Sequence, residues 1–327
     1  MIVSISGNSS LVDGGLVKKI TVAVLTYQRP EELRSALPVI LRHVSALNVE
    51  SDAFTASVLI IDNDPFSSAA EVVGSFDPTQ VRYVHEPTPG ISAGRNRALD
   101  ASEDADLLVF IDDDERPNES WLHPLLETWL STGAAAVRGR VVSSFAEALD
   151  PWIEAGGFFQ RPRRPTGTVI AAAASGNLLL DLVQIREFGV RFDNRMGLTG
   201  GEDTLFSKQL TRQGGKIVWC DESEAFDFVP IDRATRRWVL QRSWSHGNSA
   251  TLVEQYLEVD TGRILVVRLR GVVGGGGRLV VGIGRFAAGA VTGSLKHRAR
   301  GMRMAFYGAG MFTGALGHVY QEYGRAE

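Results

Sequence analysis

The sequence predicts an α/β protein built on a parallel, doubly wound sheet. Short apolar runs alternate with helix-patterned stretches in the order βαβαβαβ from residue 20 onward, the pattern of strands buried on both faces by crossover helices. The central run, residues 107–111 (LLVFI), stops abruptly at three consecutive aspartates, as a buried strand does when it reaches a polar edge. The chain of 327 residues is 44% hydrophobic, enough for one large core, or for one domain with an appendage.

Each element follows from local chemistry. Residues 20–26 (ITVAVLT) form the first strand, broken by Tyr27-Gln28-Arg29-Pro30. Pro30 suits the first helical position and two glutamates follow it, so a helix is expected over 31–44, with Pro38 as a kink. Residues 57–61 (SVLII) are the second strand, ending at Asp62-Asn63-Asp64-Pro65, and Ser68 with Glu71 offers a capping box for a helix. The third strand is 81–85, followed by a turn over 87–90 and a helix over 91–101 that leads into the central strand. Beyond it come an amphipathic helix (119–130), a strand (135–142) and a loop rich in Pro, Arg and aromatics (151–165), a composition suited to moving over a ligand. A strand within 171–181 is interrupted by Gly176-Asn177. Gly200-Gly201-Glu202-Asp203 opens a helix that stops at Gly214-Gly215; residues 224–229 alternate like a strand, and 236–258 form a long helix.

Charge divides the chain into a polar lead-in (1–19), an acidic body (20–260) and a basic, Gly-rich helical tail (261–327). The tail carries ten Lys/Arg against two Glu, leaving −12 on the first 260 residues. An acidic body excludes nucleic acid as the main partner. The single cysteine, Cys220, excludes an internal disulfide, and no signal-peptide pattern opens the chain, so a cytoplasmic setting is expected. Two weakly charged tail runs, 279–293 and 305–320, fall short of the roughly 20 apolar residues that span a bilayer. They contain Gly289/Gly293 and Gly310/Gly314, and four basic residues lie in 296–303. Two readings stand: peripheral contact with an anionic membrane surface on the inner face of the cell membrane, or packing on protein, including a second copy in a homo-oligomer.

Parallel strands bring their carboxyl ends to one edge, where open α/β sheets bind ligands. Here that edge gathers Thr26, Tyr27 and Arg29, then Asp62 and Asn63, then Gly90 to Asn96, then Asp112 to Asp114. Such a row suits a nucleotide: a carboxylate for base or ribose, Arg95 for phosphate charge, and helix amides near Gly90. Three adjacent carboxylates repel one another, and a divalent cation offsets that repulsion. For each residue alone, turn and cap chemistry is the other reading; the coincidence of four strand ends carries the argument.

The runs TYQRP, IIDND, PGISAGRNRAL, FIDDDERP and GGEDTLFSKQL occur in this order within residues 20–248. In this the sequence resembles the family 2 glycosyltransferases of GT-A fold, most of all the bacterial exopolysaccharide type related to succinoglycan synthesis. The resemblance implies a mixed, mostly parallel sheet with helices on both faces and a C-terminal helical appendage. It implies transfer from a nucleotide-diphospho-sugar donor to a saccharide or polyprenyl-linked acceptor. Thr26, Tyr27, Arg29 and Asp62 would contact the nucleotide, Arg95 and Asn96 would hold the donor site, Asp112 would approach the ribose with Asp113 beside it, and Asp114 would bind Mg²⁺ or Mn²⁺. Asp227 matches the position at which relatives complete the metal shell with a His or an acid. Asp203 would be the base that takes the acceptor's proton, as an inverting displacement requires, with Glu202 next to it. Asn177 would lie toward the acceptor and Arg242 toward a phosphate; apart from the resemblance, Trp152, Phe158 and Phe159 of the 151–165 stretch offer rings to stack on an acceptor, with buried packing the expected fate of at least two. Ala234 stands where processive relatives carry Gln or Arg ahead of Arg237-Trp238, so a non-processive enzyme is expected.

Other classes fit less well. A sugar-phosphate nucleotidyltransferase needs a Gly-rich loop after the first strand, and TYQRP has no glycine. The tail's Gly-x-Gly pairs lack dinucleotide-binding spacing. A non-catalytic nucleotide-sugar binder is the rival from another class; the presence of both Asp114 and Asp203 argues against it.

Overall fold

The computed structural model describes residues 17–324, and most of the polar lead-in expected over 1–19 lies outside them. The first half runs β1 (Lys18–Thr26), α1 (Pro30–Glu50), β2 (Phe54–Asp62), α2 (Ala70–Gly74), β3 (Val81–His85), α3 (Ile91–Asp100), β4 (Leu107–Asp112), β5 (Glu115–Pro117) and α4 (Leu122–Thr132). It continues with β6 (Ala136–Phe145), α5 (Pro151–Gly156), β7 (Leu178–Asp181), α6 (Leu182–Phe188), α7 (Glu202–Arg212) and β8 (Ile217–Val229). Three long helices end the chain: α8 (Arg236–Tyr256), α9 (Thr261–Val291) and α10 (Leu295–Ala315).

The eight strands form one sheet in the order β3-β2-β1-β4-β7-β6-β8-β5. The first four are parallel, and their register pairs Thr26 with Asp62, Leu25 with Asp112 and Asp62 with His85, so all four end at one edge. From β4 onward the paired strands are antiparallel: β7 with β4, β6 with β7, β5 with β8. Alternate strand residues feed two cores. Val22, Val24, Val58, Ile60, Val109 and Ile111 pack with α1 and α4, whereas Ala23, Leu59, Ile61, Leu108 and Phe110 pack with α3 and α6. Burial on both faces accounts for the continuous apolar runs of the parallel strands.

Two compact units emerge. The first holds the residues up to Val142 with Arg163–Phe192 and Phe206–Asp227; the second holds Ser143–Pro162, Asp193–Leu205 and the chain from Phe228 onward. Within the second unit, α10 lies against both α8 and α9, and glycine makes this possible. A Cβ on Gly275 would come 2.7 Å from Gly308 O, and one on Gly314 would come 2.8 Å from Asn248 O. Gly293 turns the chain between α9 and α10 at φ 69°. The stretch expected as a loop over 151–165 begins instead with α5, because Asp150 accepts the Trp152 amide at 2.7 Å and Pro151 follows the cap. Likewise α2 starts after Ala69 without a Ser68 cap; the Ala69 amide donates to Asp62 at 2.8 Å. Among the described residues no helix is long and apolar enough to cross a membrane.

Candidate active site

In the first unit the carboxyl ends of β1 and β4 meet through side chains. Thr26 Oγ1 donates to Asp113 Oδ2 at 2.8 Å. Arg29, just after the strand, reaches both Asp113 Oδ1 at 3.2 Å and Asp114 Oδ2 at 2.9 Å. Gln28 adopts φ 53°, a left-handed backbone that turns the chain sharply ahead of Arg29. Arg116 fixes the acidic turn from beneath, donating to the carbonyls of Asp113 and Glu115, both at 2.9 Å, and to Glu32 O at 3.0 Å.

The electrostatics of the aspartates follow from crowding. Burial pushes the Asp113 carboxyl up to about 7, although Arg29 draws it down. Burial also raises Asp112; Arg95 and Arg138 oppose that shift, while Asp114 and Asp227 add to it. Four charged groups therefore act on one carboxylate at the end of β4. Asp227 arrives by strand pairing, since β8 sets it opposite Glu115 of β5. Gly176 presses in from β7's approach: a Cβ there would meet Glu115 Oε1 at 2.5 Å and Asp112 Oδ2 at 2.9 Å.

Other expected residues are held by the fold itself. Asp62 is fully buried; its oxygens accept from the Asp64 amide at 3.0 Å, the Ala69 amide at 2.8 Å and Tyr83 Oη at 3.0 Å. Asn96 uses both ends of its amide on Phe192, donating to its O at 2.8 Å and accepting from its N at 3.0 Å. That places the Phe192 ring under the buried Arg95, whose guanidinium carbon lies 5.6 Å from the ring centroid. Asn177 is buried at φ 53°: its Oδ1 accepts from Trp121 Nε1 at 2.8 Å, and its Nδ2 donates to Arg140 O at 3.0 Å and Ser223 O at 3.1 Å. Tyr27 lies half-buried on the turn after β1. Sequence reasoning missed Glu115, Arg116 and Arg138. Arg138, buried on β6, donates to Asn177 O at 3.0 Å; its signal was one of two arginines, Arg138 and Arg140, at alternate positions in a strand that opens apolar.

The second unit carries the remaining residues. Gly200 and Gly201, at φ 75° and 90°, end the loop that opens α7, leaving Glu202 buried and Asp203 half-buried in the first helical turn. Asp203 Oδ1 accepts from Thr204 Oγ1 at 3.2 Å. The chain's last described residues lie on this loop: Tyr323 N donates to Leu198 O at 3.0 Å, and a Cβ on Gly200 would touch the Tyr323 ring at 3.4 Å. Glu322 beside it pairs with Arg242 and accepts from Ser245. Trp152 is buried, stacked on Phe158 at 5.3 Å between centroids, with the Arg236 guanidinium carbon 5.4 Å from its ring centroid.

Among the described residues no group of three or more His, Cys, Asp or Glu side chains is arranged to hold a metal alone. The crowded Asp112, Asp114 and Asp227 still suit a hard cation of the kind held by one or two carboxylates, with substrate phosphates and water completing its shell.

The family model for Glycosyl transferase family 2 matches residues 21–180, which contain every strand end of this edge. The Succinoglycan biosynthesis protein ExoM of Rhizobium meliloti is 35% identical over 233 residues, covering 70% of this chain and 73% of that protein. The chain belongs to glycosyl transferase family 2. As a member of this family it is a glycosyltransferase. A Pre-mycofactocin glycosyltransferase of Mycobacterium tuberculosis is 28% identical over 218 residues, covering 61% of this chain and 44% of its own length. Among solved structures, S. aureus TarS 1-349 in complex with UDP aligns over 93% of both chains at TM-score 0.50 and 12% identity. GalNAc-T7 with UDP, GalNAc and Mn²⁺ aligns over 72% of this chain and 51% of its own at TM-score 0.51 and 11% identity. At such identities the likeness speaks to fold, and the fold of this family 2 member is GT-A: four parallel strands continued by an antiparallel half in one sheet.

Proposed function

We propose that this glycosyltransferase is cation-dependent and inverting, and moves a sugar from a nucleoside diphosphate donor to a saccharide or polyprenyl-linked saccharide in exopolysaccharide synthesis. The crowding of Asp112, Asp114 and Asp227 at the end of β4 carries the reading. The succinoglycan relative and the UDP-bound structural neighbours suggest UDP, or its dTDP or GDP counterpart, and a cell-surface glycan. Residues 20–260 serve as the catalytic body and 261–327 as the tail. A polyprenyl-linked acceptor is held in the membrane, so the working position is the membrane's inner face.

Asp114 and Asp227 are the proposed cation ligands. When bound, Mg²⁺ or Mn²⁺ supplies positive charge against the departing diphosphate. The chain's own residues do the rest. Arg29 and Arg95 add positive charge at the donor, Asp112 turns to the ribose, and Thr26, Tyr27 and Asp113 frame the nucleotide. Asp62 and Asn96 act at one remove, by ordering the 62–69 loop and by seating Phe192 beneath Arg95. Gly176 and Asn177 shape the floor under Asp112. Asp203 accepts the acceptor hydroxyl's proton while the oxygen bonds to the anomeric carbon and the bond to diphosphate breaks, so one displacement inverts the centre.

Calorimetry of UDP binding with Mn²⁺ and with EDTA tests the donor half of the reading. Binding that weakens about tenfold or more in EDTA, with the difference abolished by Asp114→Asn, supports it, because a neutral amide is a poor ligand for a hard cation. Equal affinity in EDTA removes the cation from the account.

A further inference from the structure

Helix α9 is built inside out relative to a soluble amphipathic helix. Its glycines, Gly271, Gly275, Gly282 and Gly289, are buried, and a Cβ on Gly282 or Gly289 would meet α10 backbone at 2.5–2.6 Å. Its large aliphatic residues point the other way. Leu265, Leu269, Val273 and Val280 are 62–69% exposed, and Ile283 and Val291 continue the same side. Steps of three, four, seven and eight residues keep these positions on one stripe of a helix. A continuous exposed stripe of this kind, unlike scattered surface leucines, marks an interaction surface.

Charge identifies what covers it. Over its 31 residues α9 carries five arginines and no acidic residue, and α10 adds four Lys/Arg, again with no acid. Arg263, Arg270 and Lys296 are exposed; Glu258, ahead of the helix, pairs with Arg263 at 3.7 Å. A second copy of this chain seated on the stripe would bring the same arginines without a carboxylate from α9 or α10 to meet them. Anionic lipid headgroups supply that counter-charge, and acyl chains supply the apolar phase.

We infer that α9 is the docking face for an anionic lipid surface, lying in the plane of the interface with its aliphatic stripe turned toward the acyl chains and its arginines among the headgroups. The helix does not span, since no described helix is long and apolar enough. The inference deepens the reading of a membrane-held acceptor, giving that reading a named surface, and it stands on α9's exposure and charge alone.

Flotation of the full-length protein with phosphatidylcholine vesicles, with and without about one third phosphatidylglycerol, tests it. The wild type is expected to float with the anionic vesicles at low salt and to be released progressively as salt rises. Val273→Glu with Val280→Glu, both on the exposed stripe, is expected to cut vesicle binding about tenfold or more with melting temperature unchanged. Arg263→Gln with Arg270→Gln is expected to lose the preference for anionic vesicles. Failure of the wild type to float with either vesicle, or equal flotation of the glutamate variant, overturns the inference. So does a wild-type dimer in sedimentation velocity that the glutamate variant splits without vesicle binding, which assigns the stripe to a second copy. Transfer to a water-soluble acceptor, measured on the same samples, keeps the two readings apart: its loss in the wild type bears on the proposed function, whereas loss of flotation bears on α9.

Discussion

Arg29 Nη1 lies 2.9 Å from Asp114 Oδ2, so the carboxylate proposed to bind the cation is held by a guanidinium. An arginine and a divalent cation compete for the same oxygens. Arg29→Ala is therefore expected to raise the affinity for Mn²⁺ without nucleotide by about tenfold, or ~1.4 kcal/mol, while lowering nucleotide affinity through the lost positive charge. Calorimetric titration of Mn²⁺ and of UDP into both proteins checks it. Unchanged Mn²⁺ affinity would mean that the Arg29–Asp114 pair does not guard the site.

Gly176 offers a steric probe of the same carboxylates. Its backbone is not in the left-handed region, so the effect of a side chain there comes from contact: a Cβ would sit 2.5 Å from Glu115 Oε1 and 2.9 Å from Asp112 Oδ2. Gly176→Ala is expected to lower stability by about 1–3 kcal/mol, as overpacking does, and to weaken donor binding by displacing Asp112. Denaturant unfolding and UDP titration read the two effects separately. A stable variant with full donor affinity would show that Asp112's position is not critical.

The loop leading to Asp203 has its own pH-sensitive anchor. Asp193 caps the turn at Asn194–Met196 by accepting the Arg195 amide at 2.9 Å, and both of its oxygens take the Arg195 side chain, which lies over the Tyr256 ring at 4.2 Å. Arg195's hydrogen bonds hold the Asp193 carboxyl below the usual carboxylate range. The unfolded chain then binds this proton more readily, so the stabilisation is present above about pH 4 and is lost as pH falls through the depressed value. Asp193→Asn is expected to be less stable than the wild type by about 1 kcal/mol at pH 7, a gap that narrows at pH 4 and closes below it. Melting curves at the two pH values test this; a gap independent of pH would assign the loss to packing.

The parallel half of the fold was legible because its strands are buried on both faces, which writes them as unbroken apolar runs, and because each run ends in polar residues at one edge. Thr26, Arg29 and the aspartates after β4 could be grouped from that rule alone. The antiparallel half was not legible: nothing local in 136–145 or 217–229 says that β6 lies between β7 and β8. Nor could sequence show that Asn96 would use its whole amide on Phe192, or that Asn177 would tie Trp121, Arg140 and Ser223, since each bond joins residues far apart in the chain. Trp152 is buried against Phe158 and Arg236, the packing expected of aromatics in this stretch, but on α5, which forms where proline and arginine suggested a loop. The glycine face of α9 was visible as composition, but its direction required α10.

The most direct test of the account is acceptor transfer by Asp203→Asn, measured beside its affinity for UDP and Mn²⁺. Asparagine keeps the size of the side chain at the start of α7 and removes its ability to accept a proton. Donor binding is expected to match the wild type while transfer falls by about 10²–10⁴-fold, and the wild-type product is expected to carry the anomeric configuration opposite to the donor's. Near-normal transfer by Asp203→Asn with donor bound, or a product that retains the donor's configuration, would contradict the assignment of Asp203 as the base.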